Sequence, residues 1–191
     1  MNEDRRGLLA ATAAAALAAV AGPAKAQESE TPAGPPPGTP EGNPGDFDFL
    51  TGEWRIHHRW RSGPQSAEWL EFDGEATVVG ILGGICSVEE LRIPARNLFG
   101  MGLRLLDQER NVWQDHWVNK NSGVVAAPGE YGGFTNGVGT WSSIYDQDGV
   151  TMISQGIWDE ITPTSTRWRQ RISADNGATW QETWIMHWRR A

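Results

Sequence analysis

Asp46-Phe47-Asp48-Phe49-Leu50-Thr51-Gly52-Glu53-Trp54-Arg55-Ile56-His57-His58-Arg59-Trp60 is the stretch from which the fold of this chain is read. Phe47, Phe49 and Leu50 form a compact apolar plug, and Gly52 permits a sharp turn. Trp54, Ile56, His58 and Trp60 then alternate with Arg55, His57, Arg59 and Arg61 at the two-residue period of a β-strand, giving one aromatic face and one cationic face.

Downstream, the same alternation recurs between turn signals. Strands are expected over Trp69 to Val79, Ile85 to Ile93, Phe99 to Leu106 and Val112 to Asn119, broken at Gly80 to Gly84, Pro94 and Asp107 to Asn111. A Gly-rich passage through Gly123, Gly129, Gly132, Gly133, Gly137 and Gly139 suggests bends and bulges in curved strands. Trp141 to Tyr145, Thr151 to Trp158, Thr166 to Ile172 and Trp180 to Arg189 continue the series, with hairpin turns at Asp146 to Gly149 and Ser173 to Trp180. No segment keeps an apolar 3.6-residue period. Roughly ten short strands at this spacing point to an all-β fold, read here as an antiparallel up-and-down barrel. The Phe47 to Leu50 plug would close one end, and the last strand would return beside the first to remove the open edges.

Upstream of the plug, Arg5-Arg6-Gly7-Leu8-Leu9, the Ala-rich run from Ala10 to Ala21 and Ala24-Lys25-Ala26 have the charged, apolar and small-residue regions of an export signal, to be cut before Gln27. The arginine pair favours the twin-arginine type over an ordinary secretory signal. The apolar run is too short and alanine-rich for a membrane anchor, which needs about 20 residues. Residues 27–45 hold six prolines among Gly, Thr and Glu and read as a disordered tether, leaving 46–191 as the barrel domain. A periplasmic or secreted protein is expected.

The 191 residues carry a formal charge of −8, which becomes −9 once the signal and its net +1 are removed. After that segment Lys120 is the sole lysine, so neither a nucleic acid nor an anionic membrane is an expected partner. Cys86 is the sole cysteine, which rules out an intramolecular disulfide and a cysteine-rich metal site. Its expected role is core filler.

Phe47-Asp48-Phe49-Leu50 with Gly52 and Trp54, Phe72-Asp73-Gly74, Leu82-Gly83-Gly84, the Trp113 to Trp117 strand, Ile161-Thr162-Pro163-Thr164-Ser165 and Ser173-Ala174-Asp175-Asn176-Gly177-Ala178-Thr179-Trp180 occur in that order. Together they resemble the bacterial DUF1579-type family, uncharacterised relatives of the calycin or lipocalin-like barrels. The likeness runs from about Asp46 to Arg189. It implies a lipocalin-like barrel and no particular activity. Asp175-Asn176-Gly177 stands where Asp-Gly-Gly is common in the family, a change that still suits a tight turn. The same hairpin matches the Asp-box of sialidase-like propellers, where it repeats; a single copy is explained as a turn.

Eleven tryptophans is a large number for this domain, and many keep one phase: Trp54 and Trp60, Trp113 and Trp117, Trp168, and Trp180, Trp184 and Trp188. Polar residues share that phase, namely His58, Asp115, Gln170 and Glu182. An unpaired carboxylate among aromatics costs several kcal/mol, so a lined cavity is one explanation. Trp54, Trp60, Trp113, Trp117, Trp168 and Trp184 would then wall a small apolar or aromatic ligand, and His58, Asp115, Gln170 and Glu182 would orient it. Alternatively, the polar groups serve indole and backbone partners, or part of the tryptophan face points outward.

Three functions follow. The first is binding of such a ligand. The second is an isomerase, cyclase or dehydratase on the same barrel, with His58 and Asp115 or Glu182 as base and orienting acid. The third is a protein-interaction module without an internal site. No cofactor is expected, and metal binding is disfavoured because the adjacent His57 and His58 face opposite ways and His116 and His187 fall in the other phase. The calycin likeness implies one exception, a haem on His58 or His187. No nucleophile elbow, phosphate loop or dinucleotide fingerprint occurs. The sequence leaves the oligomeric state open.

Overall fold

Ten antiparallel strands close on themselves in a computed structural model that describes residues 34–125 and 127–191. The expected export signal and the first part of the tether lie outside the described residues. The strands are β1 (Gly52–Trp60), β2 (Leu70–Ile81), β3 (Cys86–Ile93), β4 (Leu98–Asp107), β5 (Val112–Asn119), β6 (Glu130–Thr135), β7 (Val138–Gln147), β8 (Val150–Asp159), β9 (Ser165–Ser173) and β10 (Gln181–Arg190). Each pairs with its neighbours in sequence, and β10 pairs with β1 from Trp54 opposite Arg190 to Trp60 opposite Trp184. The fold is the expected up-and-down barrel. Closure removes the sheet edges except beside β6, whose ladders to β5 and β7 are short.

The alternation read in β1 is the inside–outside alternation of the wall. Trp54, Ile56, His58 and Trp60 are buried, and the opposite face forms cross-strand ion pairs with β2, including His57 with Asp73 at 2.9 Å and Arg59 with Glu71 at 3.2 Å. The outer face of β1 and β2 is thus charged.

A 3-10 turn, Asp48–Leu50, fills the end where β1 begins. Phe47 and Leu50 are buried, and the Phe47 ring meets Trp113 edge-on at 4.9 Å and Phe134 at 5.2 Å. Asp46 ties the plug down by accepting from Asn43 N at 2.8 Å and from Trp113 Nε1 at 3.0 Å. The docked segment starts earlier than expected. Gly42 is buried and donates to the Asn111 carbonyl, Gly45 donates to the Gly84 carbonyl, and Pro40 lies against Gly133. Residues 40–45, read as the end of a tether, are therefore part of the cap, because glycine lets the backbone approach the Trp113 ring where a side chain would collide with it.

Two elements depart from the sequence reading. The Gly-rich passage contains a complete strand, β6, joined to β7 at Asn136 and Gly137, both with positive φ. Its glycines make room inside: a Cβ on Gly132 would lie 2.3 Å from the Thr140 carbonyl and 2.5 Å from Trp141. In β10 a bulge between Glu182 and Trp184 breaks the register. The extra residue, Thr183, is buried and its hydroxyl donates to Gln170 Oε1 at 3.0 Å. Below the bulge every side chain changes face.

Candidate functional site

The barrel interior divides into two layers. Nearest the plug, Trp54 donates from Nε1 to the Leu50 carbonyl at 2.6 Å, meets Trp188 edge-on and carries the Arg190 guanidinium 4.0 Å above its ring. Trp113 is held by Asp46. Trp54 and Trp113, expected as ligand walls, are thus anchors of the plug, their indole N–H groups already satisfied within it.

The second layer lies towards the other end. His58 is fully buried in β1, accepts from Trp184 Nε1 at 3.2 Å on Nδ1 and stacks on Phe72 at 5.1 Å. Accepting on Nδ1 leaves the proton on Nε2, which has no partner. Burial, with a smaller push from His57, lowers its pKa to about 3, so the ring is neutral. Trp60 receives Arg96 over its ring at 5.8 Å, and Trp168 packs over Gly156 and meets Trp184 edge-on at 6.0 Å. Gln170 faces Ser154 and Thr183.

Across the barrel, Asp115 of β5 faces Arg104 of β4, with Nε to Oδ2 at 3.8 Å, and is paired in register with Glu130 of β6. Burial raises its pKa to about 6 against the opposing pull of Arg104, and burial also raises Glu130. Arg104 is itself buried and forms a 2.6 Å pair with Glu89 of β3. Burial opposes its charge, and Glu89 and Asp115 more than offset that, raising its pKa further. Its guanidinium also lies over Phe47 at 5.1 Å and Trp158 at 5.5 Å.

The structure therefore brings together Arg104, Glu89, Asp115 and Glu130, of which the sequence reading named Asp115 alone. The missed residues were legible in principle. Ser87, Glu89 and Leu91 share a phase in β3, as do Gly102, Arg104 and Leu106 in β4, but no tryptophan marks those strands as interior-facing. His58 does not join this group; its ring contacts are Phe72 and Trp184.

Glu182 is a correction. The bulge at Thr183 turns it onto the outer wall, where it accepts from Arg169 at 2.9 Å. Trp180 moves with it and stacks on Arg171 at 4.3 Å. A His58 and Glu182 pair is excluded by the opposite faces they occupy. Neither histidine suits a haem, because His58 Nε2 points at Gly74, 2.7 Å from where a Cβ would stand, and His187 is on the outward phase of β10. Among the described residues no group of three or more His, Cys, Asp or Glu is arranged to hold a metal ion.

The wall is incomplete beside Asp115. β5 pairs with β6 over Trp113 to Asp115, and β6 pairs with β7 over Tyr131 to Thr135. Beyond these ladders, Trp117 of β5 and Tyr145 of β7 border a notch that no described strand fills. Trp117 is 39% exposed there, its ring laid over Gly100, where a Cβ would sit 2.2 Å from it.

The molecule is thus an all-β closed ten-stranded antiparallel barrel, plugged at one end and notched at the other. No family model matches the chain, and no curated protein does. Among solved structures it is similar to a protein of unknown function from the DUF3598 family of Nostoc punctiforme PCC 73102, with 14% identity and a TM-score of 0.42, over 81% of this chain and 53% of that one. The chain spans about half the length of that protein.

Proposed function

We propose that this is an exported lipocalin-like barrel of the DUF1579 type that binds a small apolar or aromatic molecule in the layer between the plug and the notch. One observation carries the reading. Buried polar atoms on several strands, Ser87 Oγ, Arg104 Nε and Nη1, and the indole nitrogens of Trp141, Trp158 and Trp188, have no hydrogen-bond partner in the protein. Each such group costs about 1–3 kcal/mol in a sealed core, so their concentration in one barrel favours an interior that receives partners from a guest or from water. Trp117 and Trp168 would offer ring faces, Asp115 and Arg104 would orient the guest, and the notch would admit it.

An enzyme on the same barrel is the second reading, favoured by the Asp115 carboxyl, whose pKa of about 6 suits a general acid or base. In that case Asp115, without His58, moves the proton in an isomerisation, cyclisation or dehydration. Export to the periplasm or medium belongs to the proposal and rests on residues 1–26.

Native mass spectrometry of protein purified without detergent from its own host, with an absorption spectrum, tests all parts. The expected result is a polypeptide beginning at Gln27 with an adduct of a few hundred daltons, lost in a Trp117→Ala, Asp115→Ala double variant. An uncleaved chain overturns export. A bare mass together with unchanged indole fluorescence across a panel of apolar ligands overturns binding.

A further inference from the structure

A second site lies on the outer wall. The end of β1, the segment leading to β2, and β9 and β10 enclose a shallow groove of about 560 Å³ lined by Arg61, Trp69, Arg169, Arg171, Trp180 and Glu182. Its origin is the bulge at Thr183, which turns Trp180 and Glu182 outward beside the arginine row of β9.

The charges in this groove do not balance. Arg169 is matched by carboxylates, donating to Asp159 at 3.0 Å and to Glu182 at 2.9 Å. Arg61 instead donates to the backbone carbonyls of Glu182 at 2.6 Å and Ser66 at 3.2 Å. Arg171 donates through Nε and Nη2 to the same neutral oxygen, Gln155 Oε1, at 2.9 and 2.7 Å. Three guanidinium groups thus share the groove with the single carboxylate of Glu182, on a protein whose overall charge is −8. Partial burial and the charge of Arg169 both work against the charged form of Arg171, which an added anion would relieve.

Two indole rings flank these cations. Arg61 lies 4.9 Å from the Trp69 ring centroid and Arg171 lies 4.3 Å from that of Trp180. The guanidinium fork matches planar oxyanions in a bidentate manner, and indole faces favour flat rings.

We propose that this groove binds a carboxylate carried on a ring, with Arg61 and Arg171 holding the carboxylate and Trp69 and Trp180 packing on the ring face. A free aromatic acid presents a planar ring face and a uronic acid unit of a glycan presents the C–H face of its pyranose chair, and each carries its carboxylate at the ring. The site is independent of the barrel interior, since all four side chains are on the outer wall or the segment outside it.

Isothermal titration of the full chain with 1-naphthoate, trigalacturonate and neutral 1-naphthamide tests the proposal, with circular dichroism to confirm the fold of each variant. At least one acid binds and the amide does not; whichever acid binds identifies the source. Arg171→Gln and Trp69→Leu each weaken that binding about tenfold, the loss expected for a charge-assisted contact or a buried ring face. These changes lie on separate segments, so either variant decides the matter if the other fails to fold. Binding of neither acid, equal binding of the amide, or binding untouched by these variants but abolished by Trp117→Ala overturns it.

Discussion

At the residue scale, His58 and Asp115 set opposing pH dependences. Unfolded, His58 takes up a proton below pH 6.5, whereas the folded protein refuses it until about pH 3. Stability from this residue is therefore full above pH 6.5 and is lost on acidification, by up to about 1.4 kcal/mol per pH unit. Asp115 behaves oppositely: the folded state keeps a proton up to about pH 6 that the unfolded chain releases near 3.8, so stability falls as pH rises through that window. Between about pH 4 and 6 the two nearly cancel. Urea denaturation at a series of pH values should show Asp115→Asn gaining on the wild type by roughly 2 kcal/mol as pH rises from 4 to 6. His58→Phe, which forfeits the Trp184 bond at every pH, should gain on the wild type as pH falls below 6.5. Gly132 gives a packing test. Gly132→Ala should cost about 1–3 kcal/mol or more because the new methyl meets the Thr140 backbone. Gly63→Ala, with open space around it, should stay within about 0.5 kcal/mol. His58 and Asp115 were found from sequence because they share a phase with tryptophans on their strands. Arg104 and Glu89 share their phases with Gly102 and Leu106 and with Ser87 and Leu91, where no tryptophan marks the inner face, and only assembly of the wall aims them inward.

At the element scale, the plug and the bulge are the deciding pieces. Asp46 accepts two hydrogen bonds that fasten the plug, so Asp46→Ala should cost about 1–3 kcal/mol. Leu50 is fully buried, and Leu50→Ala should cost about 2–5 kcal/mol in thermal or chemical unfolding. Deletion of Thr183 would restore strict alternation in β10 and turn Glu182 and Trp180 towards the interior. Such a chain should lose cooperative unfolding, because a carboxylate without a partner would enter the apolar layer. The Ser173 to Trp180 hairpin holds without any ligand: Asp175 accepts from Thr179 N at 2.8 Å and from its hydroxyl at 2.6 Å, which lowers its pKa to about 2. Asn176 and Gly177 both take positive φ, the conformation the departure from Asp-Gly-Gly still allows. The strand boundaries were legible wherever apolar and polar residues alternate. β6 escaped because four of its six residues are Glu, Gly, Gly and Thr, and its glycines serve the neighbouring rings instead of forming a hydrophobic face.

At the scale of the whole molecule, the barrel depends on the first and last strands meeting. Removal of residues 181–191 would expose the edges of β1 and β9, and the truncated chain should elute as aggregates and melt without a cooperative transition. The sequence by itself determined the all-β class, the strand spacing, the plug and the alternation of β1, because a two-residue period is written in the order of the side chains; that the tryptophan face of β1 lies inside was decided by the structure. It could not determine the phase of β10 below Thr183, since one extra residue reverses every side chain and the extra residue carries no mark of its own. Nor could it decide that Trp54 and Trp113 hold the plug, or that Arg104 joins Asp115 and Glu130. Asp46 and Trp113 are 67 residues apart and meet only when the barrel folds around the plug, whereas Arg104, Asp115 and Glu130 sit on consecutive strands and are aligned by a register that the side-chain order does not state.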